Sequence, residues 1–246
     1  MAEPRVGGPS LKTREGTGAR LGWDEYSAQW SGLHLGVDPR RSRALVRAWL
    51  RVGYLTARSL AALRVRPGAV TLAGVFLALA TPFAAAGGRG WLFVAAAAVL
   101  ACALADTADG ALAVITSRTT RLGGFYDSMA DRVSEALWLL ALWVAGVPGV
   151  LATACGVMAW LHEYARARSA AVGIGDIRVL TAAERPGRVI VVIFAFVVGG
   201  GISFLSERFA AGSMTVVLAI WPVLGLLGTA RLLGAVRAAA RGRPPT

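Results

Sequence analysis

The chain has 246 residues, of which 56% are hydrophobic and only 16% are charged, and its formal net charge is +12. This composition excludes a soluble globular domain with a polar surface and favours a membrane protein. Of the 26 basic residues, 25 are arginine. Because the chain is so apolar, we expect this positive charge to meet anionic lipid or a phosphorylated substrate, and we expect no nucleic acid partner.

The first 66 residues divide into two parts. Residues 1–38 are polar and rich in glycine and predict a disordered cytoplasmic tail, with "WDEYSAQW" as a short interfacial element and no secretory signal. Residues 39–66 predict an amphipathic helix lying on the membrane surface. Its basic stripe is Arg43, Arg47, Arg51 and Arg58, and its apolar residues are Val46, Trp49, Leu50, Val52, Leu60 and Leu63.

Six apolar segments follow and predict transmembrane helices, because they are longer than strands and rich in Ala, Leu and Val. They are Ala69–Ala86, Gly90–Ile115, Gly123–Ala145, Gly149–Tyr164, Val189–Leu205 and Met214–Leu233, with "GGRG", "GVPG" and "SERFAAGS" among their connectors. The fold class is thus an all-α integral membrane protein with a six-helix domain at 67–236, preceded by a juxtamembrane helix. Residues 237–246 form a basic cytoplasmic tail. Cys102 and Cys155 lie inside apolar segments and predict packing residues without a disulfide.

The distribution of arginine predicts the orientation in the membrane. With a cytoplasmic N-terminus, Arg89 and Arg208 are the only basic residues on the outer side, and the other 24 lie in the cytoplasm or at its interface. Such a bias is typical of multi-pass proteins of the plasma membrane. Both termini are therefore expected in the cytoplasm.

Four aspartates stand at the cytoplasmic end of two adjacent segments. Asp106 and Asp109 follow an apolar run of 15 residues from Trp91, which as a helix spans about 22 Å and leaves them in the cytoplasmic third of the membrane. Asp127 and Asp131 lie in the first turns of the next helix, spaced i, i+4. Two antiparallel helices would therefore bring two pairs of carboxylates to the same depth.

Four carboxylates at close range remain ionised together only if cations neutralise them. Oxygen ligands suit Mg²⁺ or Mn²⁺, and a pair of such ions suits phosphoryl transfer. The alternative is that each carboxylate pairs with a nearby arginine, such as Arg118, Arg121 or Arg132. Gly110 and Gly123, beside the acids, indicate either close approach of a nucleotide or close packing of helices.

The stretch resembles the signature of the CDP-alcohol phosphotransferase family, D-x2-D-G-x2-A-R-x8-G-x3-D-x3-D. Its first half is matched by Asp106, Asp109, Gly110 and Ala113. Its second half is matched by Gly123, Asp127 and Asp131. Val114 stands where the signature has arginine. The resemblance covers residues 40–235 and implies this family's six-helix fold.

The resemblance implies a reaction and a set of roles. Asp106, Asp109 and Asp127 would be the main ligands of two Mg²⁺ or Mn²⁺ ions, and Asp131 would complete the metal site and act as general base. The substrate would be CDP-diacylglycerol, and CMP would be released. Residues implied for binding the CDP-lipid are Thr71, Gly110, Gly123, Arg118 and Arg121. A homodimer is also implied.

Two later stretches indicate what kind of alcohol accepts the phosphatidyl group. They are "HEYARARSAAVG" and "AERPGRVIVV", and they place arginines at the depth of the aspartates. Arg166, Arg188 and Arg231 predict a site for a phosphorylated alcohol, because guanidinium binds phosphate bidentately. Arg168 and Arg178 are attributed to topology. The pattern is similar to that of phosphatidylinositol phosphate synthases, which implies inositol 1-phosphate as acceptor.

Two alternatives remain open at this point. Glycerol 3-phosphate is the second acceptor consistent with the arginines. A protein of another class, a catalytically decayed scaffold or an ion-binding membrane protein, would also carry buried acids. Against it, the acids cluster at one depth and do not form a path across the membrane.

Overall fold

A computed structural model describes residues 21–33, 38–174 and 184–242. Throughout these residues the structure is helical, without strands. In chain order the elements are α1 (Trp23–Leu33), a 3-10 turn (Pro39–Arg41), α2 (Ala44–Ala62), α3 (Pro67–Ala86), α4 (Trp91–Ile115), α5 (Arg121–Val144), α6 (Gly149–Ala171), α7 (Arg185–Ser203), α8 (Glu207–Leu218) and α9 (Ile220–Ala240). The all-helical prediction is confirmed.

Four stretches among the described residues are long and apolar enough to cross a membrane: α3, α4, α7 and the continuous segment Glu207–Ala240, which contains α8 and α9. Helices α5 and α6 have the required length, but each carries a run of charged residues at one end. By length and composition, these four stretches are the candidate membrane spans of the described residues.

The last predicted segment, Met214–Leu233, lies inside the longer candidate span Glu207–Ala240. Its expected connector "SERFAAGS" is helical from Glu207, because the Ser206 hydroxyl accepts a hydrogen bond from the backbone N–H of Phe209 at 3.5 Å. The helix breaks at Ala219. Pro222 explains the break, since it has no N–H for the carbonyl of Leu218.

Helix α4 lies at the centre of the bundle and contacts α1, α2, α3, α5 and α7. Its packing uses small residues, because alanine and glycine let helix backbones approach closely. Gly53 of α2 faces Thr107 of α4 so closely that a Cβ on this glycine would lie 2.5 Å from the threonine methyl group. Beside it, the indole N–H of Trp49 donates to the Thr107 hydroxyl at 2.9 Å. These contacts fix α2 against the middle of α4.

Helix α2 has three faces. Leu50, Gly53, Tyr54 and Ala57 are buried. The four arginines predicted to form a stripe are all exposed, as expected. Apolar side chains are exposed beside them, namely Leu45, Val46, Val52 and Leu55. The exposed surface of α2 therefore carries both arginines and apolar side chains.

Helix α1 lies within the segment for which we expected a disordered tail, and residues 1–20 fall outside the described residues. Helix α1 is held in place by Tyr26, which is fully buried and whose ring centroid lies 5.0 Å from that of Tyr54 in α2. The Tyr54 hydroxyl donates to the carbonyl of Leu21 at 2.8 Å. After α1, hydrogen bonds from Arg40 hold the pKa of Asp38 below its usual value. The short interfacial element is thus a helix docked on α2.

Candidate metal and nucleotide site

Three aspartates from two helices meet at one point. One carboxylate oxygen from each of Asp106, Asp109 and Asp127 lies within 4.8 Å of the other two. The first two share a face of α4 at i, i+3 spacing, and the third comes from the second turn of α5. The turn between these helices is short, and α5 begins where the Thr120 hydroxyl accepts the N–H of Gly123 at 2.9 Å.

Asp109 is the most deeply placed of the three, with 5% of its surface exposed. The Thr71 hydroxyl of α3 donates to its Oδ2 at 2.5 Å. A hydroxyl that bonds one carboxylate oxygen fixes the orientation of the other. Thr71, which the sequence assigned to lipid binding, therefore positions a carboxylate of the triad.

Asp131, one turn further along α5 than Asp127, is held by an arginine. Nη1 of Arg185 lies 2.9 Å from Oδ1 of Asp131 and also forms an ion pair with Oδ2 of Asp106. The guanidinium carbon is 5.7 Å from the centroid of the buried Trp138 ring, within the range of a cation–π interaction. Arg185 is the first residue of α7, so a third helix contributes to the aspartate cluster.

A second ionic cluster lies beside the first and consists of Arg132, Glu135, Glu163 and Arg188. Nη2 of Arg188 lies 2.7 Å from Oε1 of Glu163, and its Nε lies 3.2 Å from Oε1 of Glu135. Arg132 pairs with the same two glutamates at 3.4 and 3.5 Å. Two arginines thus face two glutamates, so the cluster is balanced in charge and ties α5, α6 and α7 together.

The three arginines predicted for the acceptor have different surroundings. Arg188 is 3% exposed and belongs to the second ionic cluster. Arg166 pairs with Glu184 at 3.4 Å and is 41% exposed. Arg231 is exposed on α9. These three arginines therefore do not meet at one point in the structure. The arginine that reaches the aspartates is Arg185.

Arg185 is the functional residue that the sequence reasoning missed. It belongs to the stretch "AERPGRVIVV" that was placed at the correct depth, but α7 was expected to begin at Val189. The helix begins four residues earlier, at Arg185, with Pro186 in its first turn. At the first position of α7 Arg185 reaches the aspartates, whereas Arg188, about one turn further along, pairs with Glu135 and Glu163.

The two glycines beside the acids face open space. A Cβ added to Gly110 would meet no atom within 4 Å, and one on Gly123 would meet only the Thr120 hydroxyl, at 3.0 Å. Close packing of helices therefore does not account for either glycine. Arg118 and Arg121, at the turn between α4 and α5, are exposed on the same side. This open, basic surface beside the acids has the character of a nucleotide site.

Val114 replaces the arginine of the resembled signature, and it does not lie in this open surface. It is 4% exposed and packs in an apolar cluster with Tyr26, Tyr54 and Leu112. Helices α1 and α2 cover it. An arginine at this position would place a charge beneath two buried tyrosines.

The donor set fits a divalent ion. Carboxylate oxygens are the ligands that Mg²⁺ and Mn²⁺ prefer, and three of them converge here, one of which, from Asp109, is oriented by the Thr71 hydroxyl. The residues that would hold the ion are Asp106, Asp109 and Asp127.

Comparison with known proteins identifies relatives of the chain. The model of the CDP-alcohol phosphatidyltransferase family matches residues 64–223. The chain is 34% identical over 176 residues to the phosphatidylinositol phosphate synthase of Mycobacterium bovis, a match that covers 67% of this chain and 75% of the relative. It is 33% identical over 148 residues to the archaetidylinositol phosphate synthase of Aeropyrum pernix, which covers 58% of this chain and 74% of that protein.

Two crystal structures of Mycobacterium tuberculosis phosphatidylinositol phosphate synthase share the fold. The one with CDP-DAG bound has a TM-score of 0.58 and 26% identity, and the match covers 76% of this chain and 94% of that one. The complex with manganese and citrate has a TM-score of 0.60 and 26% identity, with coverage of 75% and 88%.

The burial of Val114 leads to a prediction about stability. Val114→Arg should lower the melting temperature in detergent, because an unpaired charge buried beneath Tyr26 and Tyr54 costs several kcal/mol, of the order of 3. Val114→Met is the matched control, since it adds a long side chain without charge. Equal melting temperatures for the arginine variant and the wild type would show that this position is open to solvent or substrate.

Proposed function

The chain belongs to the CDP-alcohol phosphatidyltransferase family, and we propose that it transfers a phosphatidyl group from CDP-diacylglycerol to inositol 1-phosphate and releases CMP. Family membership makes it a transferase of phospholipid biosynthesis. The observation that carries the proposal is the aspartate triad at the open, basic turn between α4 and α5. Relatives named for phosphatidylinositol phosphate and archaetidylinositol phosphate support the acceptor.

The CDP-lipid is proposed to bind at the open side of the triad. Gly110 and Gly123 leave room for the nucleotide to approach the helix backbones. Arg118 and Arg121 offer positive charge to its phosphates from the same turn. Thr71 acts indirectly, through its hydrogen bond to Asp109.

The chemical step needs a base and a leaving group. Asp131 is proposed to take the proton from the acceptor hydroxyl, whose oxygen then forms a bond to the phosphorus on the lipid side of the pyrophosphate. The bond between that phosphorus and the bridging oxygen breaks, and CMP leaves with the electron pair. Arg185, whose Nη1 lies 2.9 Å from Oδ1 of Asp131, fixes the position of that carboxylate.

We propose that two Mg²⁺ or Mn²⁺ ions serve the reaction, with Asp106, Asp109 and Asp127 as the main ligands and Asp131 completing the site. Bound ions would neutralise the negative charge that develops on the pyrophosphate. A manganese complex of the Mycobacterium tuberculosis protein supports this choice of metal.

Arg166, Arg188 and Arg231 are proposed to bind the phosphate of the acceptor. Arg166 and Arg231 are accessible from the cytoplasmic side. Arg188 is buried and held by Glu135 and Glu163, so its contact with an acceptor requires a movement of Glu163, which is 31% exposed. Its present role is to hold α5, α6 and α7 together.

The membrane arrangement is proposed from the same residues. Helices α3 to α7 and the α8–α9 segment would form six spans, with α2 as an amphipathic helix at the cytoplasmic face of the plasma membrane. Its exposed arginines and apolar side chains support that position. We also propose a homodimer, for which mass photometry in detergent should give twice the mass of the chain, whereas a single-chain mass would contradict it.

The acceptor screen tests the proposed function. Purified protein with CDP-diacylglycerol and Mg²⁺ should release CMP with inositol 1-phosphate and remain near background with inositol or no acceptor. Stronger release with glycerol 3-phosphate would change the acceptor and keep the reaction. No release with any alcohol tried, in protein that is monodisperse, would favour a scaffold or ion-binding protein.

Two variants refine the acceptor assignment in the same assay. Arg166→Gln should raise the KM for inositol 1-phosphate by about tenfold or more, the cost of one charge-assisted hydrogen bond, and leave the KM for CDP-lipid unchanged. Arg188→Gln should also lower the melting temperature, because Glu135 and Glu163 lose a buried cation. Unchanged acceptor kinetics in both variants would assign these arginines to structure and topology.

The role of Asp131 is tested by separating turnover from binding. Asp131→Asn cannot accept the proton and should lower turnover by about a hundredfold to ten-thousandfold, while CDP-lipid binding survives. Asp106→Asn should first weaken metal affinity, so that a higher Mg²⁺ concentration restores part of the activity. Turnover of Asp131→Asn equal to that of the wild type would place the base elsewhere.

Orientation is tested with single cysteines in a chain whose buried Cys102 and Cys155 are replaced by alanine. Pro148→Cys, in the exposed turn before α6, should react with an impermeant maleimide in intact cells. Thr119→Cys, in the turn between α4 and α5, should react only after permeabilisation. The reverse pattern would place the active site on the outer side of the membrane.

A further inference from the structure

Arg185 is seated in the aspartate cluster by three different groups. Its guanidinium pairs with Asp106 of α4 and with Asp131 of α5, and it lies over the ring of Trp138. Only 13% of its side chain is exposed. Because three groups hold its guanidinium, Arg185 is a fixed part of the site, unlike an exposed arginine on the surface.

The same contacts divide the four aspartates into two groups. Asp106, Asp109 and Asp127 converge on one point. Asp131 instead faces Arg185, at 2.9 Å, and its other cationic neighbour, Arg132, lies 3.9 Å away and closer to the glutamates of the second ionic cluster. Arg185 thus occupies both Asp131 and Asp106, whereas Asp109 and Asp127 form no ion pair with an arginine among the described residues.

Little space is left between Arg185 and the acids. The cavity that Thr71, Asp106, Asp109, Asp131 and Arg185 enclose has a volume of about 10 Å³, which is room for about one water molecule. A Mg²⁺ ion keeps most of its octahedral shell of oxygen ligands, including several waters. The space among these groups therefore does not hold a hydrated ion while Arg185 keeps this position.

The contact between Arg185 and Asp131 is nevertheless of a kind that can be broken. Oδ1 of Asp131 and Nε of Arg185 are buried without a hydrogen-bond partner among the described residues. The two groups attract each other as charges, but they are not aligned as a bidentate pair. A divalent ion carries twice the charge of the guanidinium and competes for the same carboxylates.

We propose that Arg185 is a built-in competitor for the second metal ion: it occupies the carboxylates of Asp131 and Asp106, so that the resting protein binds one divalent ion tightly and a second only weakly. This inference rests on the proposed metal-dependent function. Its consequence is that the carboxylate of Asp131 is not consumed as a metal ligand before substrate arrives. Arg185 is thus a positioning residue for the base.

The test is a Mn²⁺ titration of the purified full-length chain without CDP-lipid, with free Mn²⁺ followed by electron paramagnetic resonance. The wild type should bind one ion tightly. Arg185→Gln should tighten binding of a second ion by about tenfold or more, because a guanidinium no longer competes for Asp106 and Asp131. Arg185→Lys keeps the charge and should remain close to the wild type. Arg168→Gln, which removes the same charge from an exposed position on α6, should change neither affinity.

A second variant keeps the inference testable if Arg185→Gln does not fold. Asp131→Asn should leave the affinity of the first ion unchanged and abolish the second, because only the second needs that carboxylate. Two ions of similar affinity in the wild type, or a first ion weakened tenfold by Asp131→Asn, would overturn the inference. If Arg185→Gln releases CMP with Mn²⁺ but binds the same number of Mn²⁺ ions as the wild type, this inference fails and the proposed function stands. If the wild type binds no Mn²⁺, the proposed metal-dependent reaction fails as well.

Discussion

The structure depends on the neutralisation of four carboxylates that two helices bring to one depth. Charges in a low-dielectric environment repel strongly, and without cations such a cluster would protonate or separate. The chain provides one permanent cation, Arg185, and leaves three oxygens facing one another where a divalent ion fits. The neighbouring cluster of Arg132, Glu135, Glu163 and Arg188 needs no ion, because its charges balance.

These two clusters explain why one half of α5 and one end of α6 are too charged to resemble ordinary membrane spans. Arg132, Glu135 and Glu163 lie between helices, where each has a partner of opposite sign. Intramembrane ionic groups are typical of functional sites, since the bilayer gives no other reason to retain them. The apolar ends of the same helices, around Trp138 and Leu142, are packed like the rest of the core.

The sequence predicted the parts of the fold that follow from periodicity. The helical class and the grouping of Asp106, Asp109 and Asp127 both follow from apolar runs and i, i+3 or i, i+4 spacing. It did not predict which arginine meets them, because Arg185 and Arg188 lie about one turn apart on the same side of α7 and the predicted start of that helix at Val189 left both outside it. Nor did it predict that Val114 is buried, because its cover comes from α1, more than 80 residues earlier in the chain.

The central claim is that a divalent ion binds among Asp106, Asp109 and Asp127. The most direct measurement is anomalous X-ray scattering from crystals of the chain grown with Mn²⁺. The account predicts a strong anomalous peak within coordination distance, about 2.2 Å, of oxygens from all three aspartates. A peak elsewhere, or none at a concentration of Mn²⁺ that supports CMP release, would contradict it.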